Sequence, residues 1–426
     1  MSLKEQDPDL SAALAAERRR QLEGVELIPS ENYVSEAVLE AMGSILTNKY
    51  SEGYPGRRYY GGNENVDDVE RLAQERAKSL FGVPHANVQP YSGSPANLAV
   101  YFATCRPGDP IMGQNLPDGG HLTHGWNVSI TGTYFKSIPY HVKPDGYIDF
   151  EEVWRLAREY RPRLIWCGAT AYVREFPFEE FAAVADAVEA YFAADIAHIA
   201  GLVIAGAHAS PVPHAHIITT TTHKTLRGPR GAMIMVTERG LAKDPELAQK
   251  IDRAVFPGLQ GGPHDHTTAA IAVALGEAMR PEFKAYGAQV VRNAKAFAQA
   301  LKSRGFKLVT DGTDNHMMLL DLTPSGPGRG TFLQEALDRV GITVNKNTIP
   351  GEPSSPFYPS GIRLGTPAAT TRGMLEADME RLAEWIAKVA DRIKGFSLPE
   401  DRKARTQTLS EFRKAIQTDS ELARIR

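Results

Sequence analysis

The sequence has little cysteine, no long apolar run and almost no net charge. Its 426 residues include only two cysteines, Cys105 and Cys167, which excludes a disulfide framework and a cysteine-rich metal site. No stretch approaches the roughly 18 consecutive apolar residues of a membrane helix. Lysine plus arginine (48) and aspartate plus glutamate (51) leave a net charge of −3, so no overall positive field attracts a polyanion. We therefore expect neither a membrane nor a nucleic acid as partner.

Several signals and motifs are also absent. The N-terminus lacks the apolar core of a secretory signal, and its acidic residues are atypical of a transit peptide, so we expect a cytoplasmic protein. There is no glycine-rich dinucleotide motif, no P-loop, no H-E-x-x-H and no G-x-S-x-G. His214 and His216 form a lone H-x-H pattern, which we interpret as structural. No metal site is predicted.

The pattern of apolar residues predicts an α/β fold. From residue 82 to about 240, short apolar runs alternate with helical patterns, which is typical of a mainly parallel sheet covered by helices on both faces. Helices are predicted over residues 67–81, with Gly82 as the stop, and over one long segment at about 277–304. The expected domains are an N-terminal helical arm at 1–25, a large domain at 26–280 and a smaller α/β domain at 281–426.

A lysine at the end of a threonine-rich run is the most unusual local feature. Four threonines, residues 219–222, predict a buried strand, and His223 and Lys224 follow it before a glycine-rich turn. Ligands in open α/β sheets bind beyond the carboxyl ends of the strands. A lysine there suits Schiff-base chemistry if desolvation or nearby cations lower its pKa. Taken alone, a surface lysine is the simpler interpretation.

Three further groups accompany this lysine. Asp195 also follows an apolar run, and its carboxylate suits a protonated pyridine nitrogen, with a helix N-cap as the alternative. In the segment YSGSP, residues 91–95, we expect Ser94 to cap a helix whose free N–H groups bind a phosphate. Arg363, flanked by small residues, suits a bidentate carboxylate clamp. In this order, the groups indicate a pyridoxal-phosphate (PLP) enzyme of the aspartate-aminotransferase fold class.

Residues 29–62 form a segment rich in glycine and tyrosine. Five tyrosines are too many for an idle surface loop, so an ordered loop that approaches a ligand or another chain is favoured. Glu52 lies within this segment. Because burial can keep a carboxyl group protonated, Glu52 is the predicted acid–base residue.

Eight segments resemble the serine hydroxymethyltransferase family, and they occur in that family's order between residues 26 and 395. The resemblance implies a fold type I PLP-dependent transferase, with a seven-stranded large domain and a smaller C-terminal domain. It also implies transfer of the serine hydroxymethyl carbon to tetrahydrofolate, giving glycine and 5,10-methylenetetrahydrofolate. The segments are LTNKYSEGYPGRRYYGG, GGHLTHG, ADIAHIAGLV, TTTTHKTLRGPRG, FPGLQGGPHDH, GTDNH, ITVNKN and SGIRLGTPA.

The resemblance further assigns residues to the cofactor, to the substrates and to catalysis. For PLP it implies a Schiff base on Lys224, Asp195 at the ring nitrogen, His121 stacked on the ring, and His198 near the ring hydroxyl. Other PLP contacts would come from Ser92, Gly93, Ser94, Thr170 and His223, and from Tyr50 and Gly262 of a neighbouring subunit. The amino acid would be held by Ser30, Glu52, Tyr60 and Arg363. Tetrahydrofolate would contact Tyr59, Leu116, Gly120, His121, Leu122, Asn347, Ser355, Pro356 and Phe357. The catalytic set would be Lys224, Glu52, Asp195, His121, His198, Tyr60 and Thr221.

Some positions depart from the family's usual pattern. Thr170 stands for a serine, Pro95 for a glutamine and Ala232 for a common glycine, and residues 171–176 also differ. The implied assembly is a homodimer with shared active sites, with a tetramer as the alternative.

Three other functions stay open. They are a folate-independent aldolase for β-hydroxy amino acids, an α-methylserine hydroxymethyltransferase, and a non-enzymatic scaffold or RNA-binding paralogue. The retained folate segments and the set Lys224, Asp195, Glu52 and Arg363 favour the folate-dependent enzyme.

Overall fold

Two helices form the N-terminal part of the chain. The computed structural model describes residues 2–426. Leu3–Gln6 begins with a capping box on Ser2, and Pro8–Glu23 begins with Asp7 as its side-chain cap. Neither helix buries a residue against the rest of the chain. Both lie within the segment predicted as a helical arm.

A seven-stranded sheet organises the larger part of the molecule. Six strands share one direction, and Ala232–Val236 runs antiparallel to both of its neighbours. The predicted α/β fold with a mainly parallel seven-stranded sheet is confirmed. In spatial order the strands are His85–Asn87, Ala232–Val236, Ile217–Thr221, Tyr191–Asp195, Leu164–Cys167, Pro110–Gln114 and Lys136–Tyr140.

Helices cover both faces of this sheet because its central strands are apolar on both sides. Every residue of Leu164–Cys167 and of Ala232–Val236 is buried, and Trp166 is among the largest fully buried side chains. The helices of this region are Glu36–Met42, Glu64–Phe81, Gly93–Thr104, Ile130–Tyr134, Phe150–Tyr160, Phe178–Ala187, Ala200–Ala205, Glu238–Lys243, Leu247–Arg253 and Asp265–Ala278.

A second sheet, with four antiparallel strands, lies in the C-terminal part. Val25–Glu26 also reaches this part, since it pairs in parallel with Ile342–Thr343. In spatial order the strands of the second sheet are Lys307–Leu308, Met317–Asp321, Gly361–Gly365 and Asn345–Asn347. The helices here are Pro281–Ser303, Arg329–Arg339, Pro367–Thr371, Glu376–Arg392, Arg402–Thr418 and Ser420–Ile425.

The helix Pro281–Ser303 contributes to two separate apolar cores. Phe283, near its start, packs in the core of the large sheet, whereas Phe297 packs in the C-terminal core. The prediction of one helix over 277–304 is wrong at its beginning, because the preceding helix ends at Ala278 and Pro281 starts a new one. The domain boundary at 280/281 falls at this start and stays a prediction.

The structure also tests the predictions for the helix at 67–81, for His216 and for a membrane helix. The helix predicted over 67–81 begins earlier, at Glu64, and ends as expected before Gly82, which adopts the left-handed conformation (φ 67°). His216, interpreted from the sequence as structural, lies just before the strand Ile217–Thr221, and its Nδ1 accepts a hydrogen bond from the Phe192 N–H at 2.9 Å. Within residues 2–426, no helix is both long and apolar enough to cross a bilayer.

Candidate active site

Lys224 lies three residues beyond the strand Ile217–Thr221, at the carboxyl end of the large sheet. Burial lowers the pKa of Lys224 to about 8; the charge of Asp195 opposes this shift, and those of Arg363 and Arg230 add to it. A larger fraction of this amine is therefore neutral near physiological pH than for an ordinary lysine. A neutral amine at a strand end can attack a carbonyl carbon.

Asp195 ends the neighbouring strand, and a set of N–H donors holds its carboxylate. The side-chain amide of Asn97 donates to Oδ2 at 2.9 Å, His124 Nε2 lies 3.1 Å from the same oxygen, and the Ala197 N–H donates to Oδ1 at 3.1 Å. Burial alone would raise the pKa of Asp195, but hydrogen bonds from His124 and Asn97, together with the electrostatic effect of His124 and His121, keep the pKa well below its usual value. This carboxylate stays ionised, as a partner of a protonated pyridine nitrogen must.

The same carboxylate belongs to a group of residues that could in principle bind a metal ion. His121, His124 and Asp195 place possible metal-ligand atoms within 4.8 Å of one another. However, His124 Nε2 lies 3.1 Å from Asp195 Oδ2, so two of the three candidate ligands are already paired with each other.

A helix N-terminus lies beside the same sheet edge. The prediction that Ser94 caps this helix is wrong, because the helix spans Gly93–Thr104 and Ser92 is its N-cap. The Ser92 side chain makes no capping hydrogen bond, and the first N–H groups of the helix are free for an anion. A Cβ on Gly93 would lie 2.8 Å from Thr221 Cγ2, so only glycine fits between the helix and the strand.

His223, two residues beyond the strand Ile217–Thr221, offers a further hydrogen-bond donor. Arg230 Nη1 lies 2.9 Å from His223 Nε2, and His223 Nδ1 is buried with no partner among residues 2–426. Burial lowers the pKa of His223 to about 3, so the ring is neutral. With Nε2 accepting from Arg230, the ring proton belongs on Nδ1, which makes this atom an unused donor.

Arg363 is a buried cation without a carboxylate partner. The residue is 9% exposed, and its Nε donates to Asn345 Oδ1 at 3.0 Å while Nη1 donates to the carbonyl of Thr170. Burial lowers the pKa of Arg363 to about 10, which still leaves it charged at neutral pH. No Asp or Glu of residues 2–426 forms an ion pair with it. An arginine in this state is suited to a ligand carboxylate.

Histidines surround the lysine and the arginine. Burial lowers the pKa of His121 to about 4 and that of His198 well below its usual value. His198 Nδ1 lies 3.3 Å from Nε2 of His316, a fully buried residue whose pKa burial lowers to about 3. These neutral rings can stack or donate hydrogen bonds without adding positive charge.

Ser30 and Thr170 approach the same region from two sides. Pro29, which precedes Ser30, packs against Gly365 at the end of the strand that carries Arg363. The Thr170 hydroxyl donates to the carbonyls of Gly119 and Gly120, at 3.0 and 2.9 Å. The backbone of Thr170 thus contacts Arg363 while its side chain holds the loop that contains Gly120.

The tyrosine-rich segment contains a hairpin, in which the strand Gly53–Tyr54 pairs antiparallel with Arg57–Arg58, and it forms a second cluster in the same chain. Tyr50 and Tyr60 pack edge to face, with ring centroids 5.0 Å apart, and the Tyr50 hydroxyl donates to Glu52 Oε1 at 3.3 Å. A Cβ on Gly262 would lie 3.4 Å from the Tyr50 ring. Glu52 is half-buried, so the burial expected to keep its carboxyl group protonated is only partial within one chain. Within residues 2–426, no hydrogen bond or ion pair joins Glu52 to Lys224 or Arg363.

Apart from Tyr59, which lies in the tyrosine-rich segment, the residues assigned to tetrahydrofolate lie on two adjoining segments, 116–122 and 347–357. The Thr348 hydroxyl donates to the Pro117 carbonyl at 2.8 Å, which joins the segment after Asn347 to the turn that begins at Leu116. Leu122 starts a second turn, and Lys346 Nζ donates to the Phe357 carbonyl at 2.7 Å. Several of these side chains are exposed in one chain, namely Tyr59 (74%), Leu122 (48%) and Phe357 (79%). Ser355 and Pro356 lie in the same loop as Phe357.

Sequence reasoning missed four residues of the site: Asn97, His124, His316 and Asn345. His124 stacks on Trp166 at 5.0 Å and holds Asp195, yet it appears in the sequence only as the second histidine of GGHLTHG. His316 stood in the segment GTDNH, where no spacing connected it to His198. Asn97 lies two residues after the segment YSGSP, so its position next to this motif could have identified it as a site residue.

Comparison with known proteins points to one family. A family model described as "Serine hydroxymethyltransferase" matches residues 3–386. A protein named serine hydroxymethyltransferase from Sorangium cellulosum is 59% identical over 393 residues, which cover 92% of this chain and 91% of that protein. Proteins of the same name from Acidothermus cellulolyticus (60% identity; 90% and 88% covered) and Phenylobacterium zucineum (54%; 95% and 93% covered) are also similar. This chain therefore belongs to the serine hydroxymethyltransferase family.

Proposed function

We propose that this chain catalyses the reversible transfer of the hydroxymethyl carbon of L-serine to tetrahydrofolate, giving glycine and 5,10-methylenetetrahydrofolate. One observation carries the proposal. Arg363, a buried cation with no carboxylate partner, lies close enough to Lys224 for its charge to lower the pKa of that amine. A carboxylate clamp and a carbonyl-reactive amine in one place are what amino-acid chemistry requires. The relatives of this chain carry the name of this activity.

The residues present fit PLP. The Lys224 amine would bond to its aldehyde carbon, the Asp195 carboxylate would face its ring nitrogen, and the unused His223 Nδ1 would face its phosphate. When bound, PLP supplies a ring that accepts the electron pair left when the substrate Cα–Cβ bond breaks.

The chain's own residues would then act on protons and orientation. The ionised Asp195 keeps the pyridine nitrogen protonated, and neutral His121 offers a flat, uncharged face for stacking. Arg363 and Ser30 would hold the serine carboxylate, which fixes the direction of the Cα–Cβ bond. His198 and Thr221 would border the substrate from the strand ends.

Glu52 would handle the proton of the serine hydroxyl group and of the folate nitrogen. Glu52, Tyr50, Tyr60 and Gly262 form a cluster apart from Lys224 within one chain, so we propose that they complete the site of a neighbouring subunit. Exposed apolar side chains, which an assembly would cover, also support a homodimer. They include Leu39, Ile45, Tyr59 and Phe102.

The experiment that tests this function is a serine-cleavage assay on purified, PLP-loaded protein, with and without tetrahydrofolate. We expect glycine formation that depends on tetrahydrofolate and that Lys224→Ala abolishes, whereas Lys388→Ala, on an exposed helix face, leaves it unchanged. Equal rates with and without tetrahydrofolate would instead indicate the aldolase, and faster turnover of α-methylserine would indicate that relative. A protein that shows no bound-cofactor absorbance and no turnover would favour a non-enzymatic role.

We also propose a cytoplasmic location. Cys105 and Cys167 are unpaired, which suits a reducing compartment. Fractionation of cells that express the chain, with a cytoplasmic marker as reference, tests this location.

A further inference from the structure

A buried ion network lies directly beneath the hairpin that carries Glu52. The Arg58 side chain is 4% exposed, and its Nε and Nη2 donate to Asp67 at 2.8 Å and to Glu70 at 2.6 Å. Asp67 and Glu70 both lie on the helix Glu64–Phe81, and their side chains are 11% and 2% exposed. A guanidinium fixed by two carboxylates on one rigid helix has little freedom to move.

The remaining donor of Arg58 reaches the backbone on both sides of Glu52. Nη1 donates to the Ser51 carbonyl at 2.9 Å and to the Gly53 carbonyl at 2.8 Å. The Glu52 carbonyl accepts the Tyr59 N–H at 2.9 Å. All three carbonyls from Ser51 to Gly53 are therefore held, two of them by one guanidinium group.

Two further contacts fix the same segment. The Ser51 hydroxyl donates to Asp265 at 2.6 Å, and the Gln89 side-chain amide donates to the Gly53 carbonyl at 2.9 Å and to Glu70. A Cβ on Gly261 would lie 3.2 Å from Glu52 Oε1, so glycine at this position leaves room beside the carboxyl group. The direction of the Glu52 side chain thus depends on a backbone that Arg58 anchors.

We propose that Arg58 is a positioning residue that sets the orientation of Glu52 for proton transfer. This inference rests on the proposed function, since it assumes that Glu52 acts on the substrate proton. Arg58 does not touch the substrate; it transmits the rigid position of the helix Glu64–Phe81 to the backbone of residues 51–53. Lysine would not replace it, because one ammonium group cannot span two carboxylates and two carbonyls in this planar arrangement.

A double-mutant cycle between Arg58 and Glu52 tests the inference on the PLP-loaded protein. We expect Arg58→Lys to lower kcat by ~10- to 100-fold, while KM for serine and the cofactor absorbance stay close to wild type. In a Glu52→Gln background, the same change should lower kcat by less than ~2-fold, because the group that Arg58 positions is already disabled. Arg71→Gln serves as control, since exposed Arg71 also pairs with Asp67 but does not reach the hairpin carbonyls.

The outcomes separate the two proposals. If wild type forms no glycine, the proposed function fails. If wild type is active but Arg58→Lys costs the same factor in both backgrounds, or costs nothing, only the role of Arg58 is refuted. Should Arg58→Lys fold poorly, Arg58→Gln combined with Glu70→Gln removes the buried cation and one of its two carboxylates, and this variant enters the same cycle. Hydrogen exchange of the Tyr59 amide provides a readout besides activity: it should accelerate in the Arg58 variants, and unchanged protection would contradict the inference.

Discussion

Arg58 and Arg363 are two buried arginines whose charges are balanced in different ways. Arg58 has two carboxylates within 2.8 Å, both on one helix of its own chain. Arg363 has a side-chain amide and a backbone carbonyl but no carboxylate. Because burying an unpaired charge is costly, the first arrangement is complete in the folded chain, whereas the second is completed by a ligand. The comparison distinguishes a residue that shapes the site from one that receives the substrate.

A third buried arginine limits how far this reasoning extends. Arg329 also lacks a carboxylate, yet its guanidinium donates to the carbonyls of Ile393, Lys394 and Phe396. These carbonyls follow the end of the helix Glu376–Arg392, where the helix dipole is negative and stabilises a cation. The missing carboxylate therefore indicates a ligand only at Arg363, where Lys224 and Asp195 lie nearby.

The largest expected effect is the loss of stability when Arg58 is removed from its buried ion network with Asp67 and Glu70. Arg58→Met should lower the free energy of unfolding by about 3–5 kcal/mol, because it leaves the buried Glu70 carboxylate without its cation and leaves Asp67 with only the exposed Arg71. Urea denaturation measures this loss. The control Arg71→Met, at an exposed ion pair, should change the same quantity by less than about 1 kcal/mol. Equal losses for the two variants would remove the distinction between the buried and the exposed pair.

The corresponding change at the open site should affect function rather than folding. Arg363→Met should lower kcat/KM for serine by ~10²- to 10³-fold, because the substrate carboxylate loses its buried partner. The melting temperature without ligand should equal or exceed that of wild type, since the variant removes an uncompensated buried charge. Steady-state kinetics and calorimetry test both parts. A loss of stability as large as that of Arg58→Met would show that Arg363 is balanced within the chain.

A smaller effect is expected where the phosphate site meets the strand. Gly93→Ala places a methyl group 2.8 Å from Thr221 Cγ2, so PLP affinity should fall by about 1–3 kcal/mol. Adding Thr221→Ser, which removes that methyl contact, should restore part of the affinity. Titration of the apoprotein with PLP measures both constants. If Gly93→Ala binds PLP as tightly as wild type, close packing at this position does not limit the site.

The smallest effect is a shift in pH dependence. Because burial lowers the pKa of Lys224 to about 8, covalent incorporation of PLP should rise with pH around a midpoint near 8. For an ordinary lysine, the midpoint would be about 10.4. The folded apoprotein binds fewer protons than the unfolded chain between these values, so the Lys224 contribution to stability should increase as pH rises through this window. A midpoint near 10 would contradict the lowered pKa.

The sequence predicted the residues at the strand ends better than it predicted the helix cap and the side chains that contact them. Lys224 and Asp195 could be identified because apolar runs stop just before them, and the resulting sheet is mainly parallel, as expected. The cap at Ser92 rather than Ser94 was not predictable, since both are serines and the choice depends on packing of Gly93 against Thr221. His124 was missed because its contact with Asp195 spans 71 residues.

The contacts within the hairpin were likewise not predictable from the sequence. Its tyrosines and glycines correctly indicated an ordered segment, but no spacing connects Arg58 with the carbonyls beside Glu52. Those contacts arise from a turn that reverses the chain between Tyr54 and Arg57, which the structure pairs across the hairpin. Contacts between separate structural elements cannot be predicted from the spacing of residues in the sequence.

The most direct test of the central claim is a comparison of L-serine with L-serinamide, in which a neutral amide replaces the carboxylate. The absorbance change of the PLP-loaded wild-type protein measures binding of each compound. If Arg363 is completed by the substrate carboxylate, serine should bind at least ~100-fold more tightly than serinamide, and Arg363→Met should remove most of this preference. Equal binding of the two compounds to wild type would contradict the claim.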